Sequence, residues 1–172
     1  FVYLGGDPAR LPAQELLRNL QLYALLMPST PGWSEAAQAI WGDRLRAIDR
    51  YQFSAENLTF EHLQTCLSDT PFKQQIEQMD RSFVEKLWGQ EHFIDLSEYD
   101  SPLDFLERGI GYVSIQNGII AGAAYASLVS SRGIEVSIYV EEDYRRKGLA
   151  TALASHLLGW CLEHNLEPHW DA

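Results

Sequence analysis

The chain has 172 residues, 46% of them hydrophobic and 22% charged, which are the proportions of a globular protein rather than a disordered one. A formal net charge of -11 argues against a nucleic-acid surface, which would need a basic patch, and no run approaches the roughly 18 apolar residues of a membrane-spanning helix. With Cys66 and Cys161 as its two cysteines, the chain has no disulfide framework, and a reducing, cytoplasmic compartment is expected.

Phe1 to Leu4 form a short apolar run closed by Gly5 and Gly6. From Pro12, the residues Leu16, Leu17, Leu20, Tyr23, Ala24 and Met27 recur at helical spacing, and Pro28 and Pro31 end that helix. A second amphipathic pattern, Trp33 to Ile48, carries Ala36, Ala37, Ile40, Trp41, Leu45 and Ile48, with Gly42 inside it. Tyr51 and Phe53 read as a brief extended piece, and Thr59 stands three before His62 as a helix start. Asp69-Thr70-Pro71 then caps a long helix with the stripe Phe72, Ile76, Met79, Phe83, Leu87 and Trp88, ended by Gly89. His62 and Cys66 have a spacing that suits a metal on a helix, but no second pair accompanies them, so no metal is expected. Residues 1–90 are thus a mainly helical region without a catalytic constellation.

From His92 the texture changes. Phe93 to Leu96 reads as a short strand, and Ser101-Pro102 opens a short helix through Leu106. Gly109 to Gln116, then Asn117-Gly118, then Ile119 to Ser130, is a hairpin with a two-residue turn. Ser131-Arg132-Gly133 turns into a third strand, where apolar Ile134, Val136, Ile138 and Val140 alternate with Glu135, Ser137 and Tyr139. After Tyr144 the period changes to that of a helix carrying Leu149, Leu153, Leu157, Leu158, Cys161 and Leu162, which Asn165 ends. A further strand begins at Pro168, and a right-handed crossover lays it parallel to residues 134–140. Phe1 in first place and a stop at Ala172 just inside that strand suggest a chain whose C-terminal end is missing.

Between the third strand and its helix lie Arg145, Arg146, Lys147 and Gly148. The first turn of a helix has N–H groups without intrahelical partners, and its dipole favours an anion such as phosphate. Gly148 lets an anion approach the backbone, while Arg145 and Lys147 add full charges. The same cations also suit a solvated loop beside Glu141, Glu142 and Asp143.

Arg145-Arg146-Lys147-Gly148-Leu149-Ala150 resembles the acyl-CoA signature Q/R-x-x-G-x-G/A of the GNAT superfamily of N-acetyltransferases, and Arg145, Gly148 and Ala150 fill its defined positions. The resemblance covers about residues 91–172. It implies an α+β fold with a GNAT-like mixed sheet: an antiparallel hairpin and central strand, then a helix and a splayed parallel strand, preceded by the mainly helical region. It also implies acetyl-CoA as donor, with the pyrophosphate on the backbone of Arg145, Arg146, Lys147, Gly148, Leu149 and Ala150, and the pantetheine arm along Ile138, Tyr139 and Val140. The Walker phosphate loop is excluded, because its G-x-x-x-x-G-K-[ST] pattern is absent.

Acetyl transfer to an amine needs a proton acceptor, because a primary amine with a pKa of roughly 10 is mostly protonated at neutral pH. Glu135, on the polar face of the central strand, is the candidate catalytic base, and a cross-strand ion pair or a solvated position is its alternative. His169 is a candidate second base or a packing residue, and a strand N–H near Ile138 to Val140 is the candidate oxyanion donor. The expected activity is N-acetylation of a small-molecule amine or a peptide amino group, with the helical region forming acceptor walls or a homodimer surface. A non-catalytic acyl-CoA-binding sensor or interaction module is the alternative. The acid that protonates the departing thiolate has no assignment here.

Overall fold

The alternating stretch ahead of the basic turn folds as an inner strand of a mixed sheet. The computed structural model describes residues 2–20, 24–72, 74–89 and 93–171, and it divides into two units, Phe1–Asp49 and Arg50–Ala172.

In the first unit, β1 (Val2–Leu4) pairs in parallel with β2 (Leu26–Pro28). Two helices, α1 (Leu11–Asn19) and α2 (Pro31–Trp41), close a small core of Leu4, Leu17, Trp33 and Ala37. Buried indole N–H groups need acceptors, and here Trp33 Nε1 donates to Gly6 O at 3.2 Å and Trp41 Nε1 to Leu17 O at 3.0 Å. The sequence expects the first helix to reach Met27. Instead it ends at Asn19 with Leu20 extended, and Leu26 to Pro28 satisfy their backbone on β1. Tyr23, assigned to that helix, lies outside the described residues. The second helix stops at Trp41 rather than Ile48, because Gly42 takes a φ of 54° that no helix continues through.

The second unit carries a six-stranded sheet in the order β3-β8-β7-β6-β5-β4. Its strands are β3 (Gln52–Phe53), β4 (Glu77–Gln78), β5 (Gly111–Gln116), β6 (Ile119–Val129), β7 (Gly133–Val140) and β8 (Glu167–Asp171). All neighbours are antiparallel except β7 and β8, which are joined by α6 (Leu149–Glu163). The expected hairpin is present, and Asn117 and Gly118 take the positive φ values, 52° and 80°, that a two-residue turn requires.

Both faces of the sheet are covered. On one, Ile134 and Val136 of β7 and Ala124 and Ala126 of β6 pack with Leu149, Leu153, Leu157 and Cys161 of α6. Helix α3 (Phe60–Ser68), capped by Thr59 Oγ1 accepting from His62 N at 3.2 Å, packs on α6. On the other face, Ala123 and Tyr125 of β6 meet Val84 of α4 (Arg81–Leu87), Phe105 of α5 (Pro102–Arg108) and the segment carrying Ile94, Leu96 and Tyr99. With both faces buried, β6 is built from small residues, Ala121 to Ala126 apart from Tyr125.

Two expectations change in this unit. The long helix from Pro71 to Trp88 is not formed: Met79 N donates to Gly111 O at 2.8 Å, drawing β4 onto the sheet edge. Asp80 Oδ1 then accepts from Phe83 N at 2.7 Å and starts α4 afresh. Phe93 to Leu96 is not a strand, because side chains rather than a ladder hold it: Asp95 N donates to Tyr125 Oη at 2.8 Å, and Ile94 and Leu96 are buried. Within the unit Arg50–Ala172, β3 and β4 lie at the two edges of the sheet and α3 packs on α6.

Candidate active site

β7 and β8 are paired over three positions only, Gly133↔Glu167, Ile134↔Pro168 and Glu135↔His169, although β7 continues to Val140 and β8 to Asp171. Past Glu135 the two parallel strands part. The orientation of the backbone there follows from the ladder on the other side. Glu141 N donates to Ala121 O of β6 at 2.9 Å, and strand residues alternate in the side to which their N–H and C=O point. Ser137 and Tyr139 therefore face β6, and Ile138 and Val140 turn their N–H and C=O groups toward the open gap. Among the described residues no strand pairs with them there.

The basic turn follows directly. A short 3-10 turn, Glu142–Tyr144, leads into Arg145. Arg146 takes a φ of 56° and Gly148 one of 91°, two left-handed residues in a turn of four. Such backbone is sparsely populated and collects at functional sites. Gly148 serves as the N-cap of α6 without a side-chain cap bond, so the N–H groups of Leu149 to Thr151 in its first turn have no intrahelical acceptor. Arg145, Arg146 and Lys147 are exposed around this end, and Lys147 Nζ lies 5.8 Å from the centroid of the Tyr144 ring. The Arg145 side chain folds back, its Nε donating to Val140 O at 2.9 Å. That bond joins the turn to the mouth of the gap.

Glu135, half-buried on β7, pairs in register with His169 of β8 and Leu128 of β6. Paired residues share a face, as do residues two apart on one strand, so Glu135, Ser137, Tyr139, His169 and Asp171 lie on one side of the sheet. Arg50 completes the cluster: its guanidinium reaches Asp171 with Nη2 to Oδ1 at 2.6 Å, Nε to Oδ2 at 3.0 Å and Nη2 to the backbone oxygen at 3.0 Å. Burial pushes the Glu135 carboxyl above its ordinary range; the Asp171 carboxylate adds to the rise, and His169 and Arg50 oppose it. The cation nearest that cluster, Arg50, is committed to Asp171.

Sequence reasoning names Glu135 and His169 and misses Arg50, Asp171 and Thr70. Asp171 was within reach, one step of the two-residue period beyond His169. Arg50 and Thr70 were not, since they meet their partners 121 and 78 residues away in the chain. His62 Nε2 and Cys66 Sγ approach to 3.7 Å on α3, and no group of three or more His, Cys, Asp and Glu converges among the described residues. No described helix is long and apolar enough to cross a membrane.

Comparison with known proteins adds the following. A family model described as GNAT acetyltransferase matches residues 1–172. The chain is 30% identical to a GCN5-related N-acetyltransferase-like protein from Streptococcus suis 89/1591, whose crystal structure superposes with a TM-score of 0.81 over 99% of this chain and 68% of that one. It is 21% identical over 146 residues to YdfB, an uncharacterised N-acetyltransferase of Bacillus subtilis (strain 168). That match takes in 85% of this chain, which spans about half, 54%, of the Bacillus protein.

Proposed function

Because the chain belongs to the GNAT acetyltransferase family, we propose that it transfers an acetyl group from acetyl-CoA to a primary amine. The observation that carries this is the gap between β7 and β8, flanked at one end by the basic turn and at the other by Glu135. The pyrophosphate of CoA would take the free N–H groups at the start of α6, with Arg146 and Lys147 beside it. The pantetheine arm, itself an extended chain of amides, would run along Ile138 to Val140 in the manner of a strand.

The chemistry then follows from which groups remain. An amine entering on the Glu135 face loses its proton to that carboxylate, directly or through one water. The nitrogen lone pair attacks the thioester carbon, and the developing oxyanion is held by the N–H of Ile138 or Val140, which already points into the gap. Collapse breaks the carbon–sulfur bond with its electron pair leaving on sulfur, and the second proton shed by the nitrogen passes to that thiolate or to solvent, leaving the amide and CoA. A carboxyl raised by burial is better matched to accept a proton near neutrality than an ordinary exposed one. We assign the chain to the cytoplasm on its cysteine usage, two cysteines in 172 residues.

Calorimetric titration with acetyl-CoA, beside a Gly148→Glu variant, tests the donor site, and a screen of amines with the saturated protein tests transfer. Micromolar-range binding that the variant lacks supports the assignment. An absence of binding to the wild-type chain removes it, and binding without acetylation of any amine makes the chain a CoA-responsive module instead.

A further inference from the structure

Thr70 belongs to a stretch with no expected chemistry, yet it sits directly behind the basic turn. Its side chain is 8% exposed. The hydroxyl donates to Gly148 O at 3.2 Å and accepts from Phe72 N, also at 3.2 Å. Gly148 O is the first carbonyl of α6, which also accepts from Ala152 N at 3.0 Å. A Cβ on Gly148 would lie 3.0 Å from Thr70 Oγ1 and 3.3 Å from Thr70 Cβ, with Pro71 Cδ next at 3.9 Å, so the turn lies close against Thr70. The contact is long-range in sequence: Thr70 and Gly148 stand 78 residues apart, and α3, which packs on α6, brings them together.

We propose that Thr70 is a positioning residue for the donor site, holding Gly148 in its left-handed conformation so that the first N–H groups of α6 aim at the CoA pyrophosphate. This rests on the assignment of the basic turn as the pyrophosphate site. A hydroxyl bonded on both its donor and acceptor sides leaves little rotational freedom. Gly148, with its broad range of dihedrals, is the residue in the turn that most needs an outside constraint. Thr70 would act through the Gly148 carbonyl rather than on a reacting atom.

The test compares wild type, Thr70→Val and Thr70→Ser by calorimetric titration with two ligands: CoA, and acetyl-pantetheine, which has no pyrophosphate. Thr70→Val keeps the shape and removes the hydroxyl; loss of one hydrogen bond's worth of ordering is expected to weaken CoA about five- to tenfold. Acetyl-pantetheine binding should stay within about twofold, and Thr70→Ser should restore CoA binding. Equal weakening of both ligands, no weakening of CoA, or no rescue by serine each overturns the proposal. If the valine variant does not fold, Thr70→Cys, with a thiol that is only a weak donor, takes its place and the same affinity ratio is read. A wild-type chain that binds acetyl-pantetheine but gains nothing from the pyrophosphate of CoA overturns the turn assignment itself, which separates the two failures.

Discussion

Gly148→Ala should unsettle the start of α6 by an amount that can be worked from its surroundings. At a φ of 91° an L-residue carries its Cβ into the following carbonyl, which costs about 1–2 kcal/mol. The new methyl also stands 3.0 Å from Thr70 Oγ1 and 3.3 Å from Thr70 Cβ, so Thr70 must give way by a few tenths of an ångström. Together these suggest a loss of about 2 kcal/mol, with overpacking setting the upper part of the range. In urea, with a slope of roughly 2 kcal/mol per molar for a chain of this size, the midpoint should fall by about 1 M. Gly148→Asn separates the two contributions. Asparagine accepts left-handed backbone and still brings a Cβ against Thr70, so it should lose less than about half as much. Urea unfolding followed by far-UV circular dichroism measures both variants. An alanine variant as stable as wild type, or an asparagine variant that loses as much as alanine, would refute the claim that the dihedral dominates.

Glu135→Gln should lower turnover at saturating substrates about a hundredfold or more, and the acid limb of the wild-type pH profile should lie above the ordinary glutamate range of roughly 4.3. The same substitution should also stabilise. The folded carboxyl holds its proton to higher pH than the unfolded one, so folding stability falls as pH rises between the two values. Melting temperatures should show a gain for Glu135→Gln at pH 7 that vanishes below the ordinary carboxylate range; a gain at low pH instead would contradict the raised carboxyl. Gly133→Ala should cost about 3 kcal/mol or more, because a Cβ there runs into the carbonyl oxygen of Glu167 and prises apart the only paired stretch of β7 and β8. A melting curve unchanged from wild type would show that the pairing adjusts freely. In a thiol titration of the native chain Cys66 should react, while Cys161, fully buried on α6 with its thiol pushed up to about 12 by burial, should wait for denaturant. Two fast thiols in the native state would count against the packing of α6.

What the sequence made legible was whatever is local. The period of two in residues 134–140, the Asn117-Gly118 turn, the Ser101 and Thr59 caps and the basic turn before α6 all stand where local patterns place them. The failures share a cause. Phe72, Ile76, Met79, Phe83 and Leu87 do recur at helical spacing, but they are claimed by separate packings: Phe72 and Ile76 by the core under α6, Met79 and Leu87 by the core on the opposite face. Asp80, a good cap inside the supposed helix, was the overlooked signal. Met27 was likewise absorbed into a helical stripe, though a partner strand 24 positions earlier uses it. At the candidate site, Glu135 is visible because its strand is regular. The clamp of Arg50 on Asp171 and the bond from Thr70 to Gly148 are set by tertiary packing, and no spacing along the chain encodes them.

The parting of β7 from β8 has a bearing on self-association. An unpaired strand edge is a template for any extended polypeptide and a common route to aggregation. Here the template is confined: it lies within the sheet, between two strands, and Ile138 and Val140 are the described residues whose backbone turns toward it. One end is shut by the paired positions up to Glu135 and His169. At the other, Arg145 occupies the Val140 carbonyl, and exposed Arg146 and Lys147 place two charges beside it. Two residues are too few to register a foreign strand, and flanking cations disfavour a second copy carrying the same charges. The notch thus offers another protein little to zip onto.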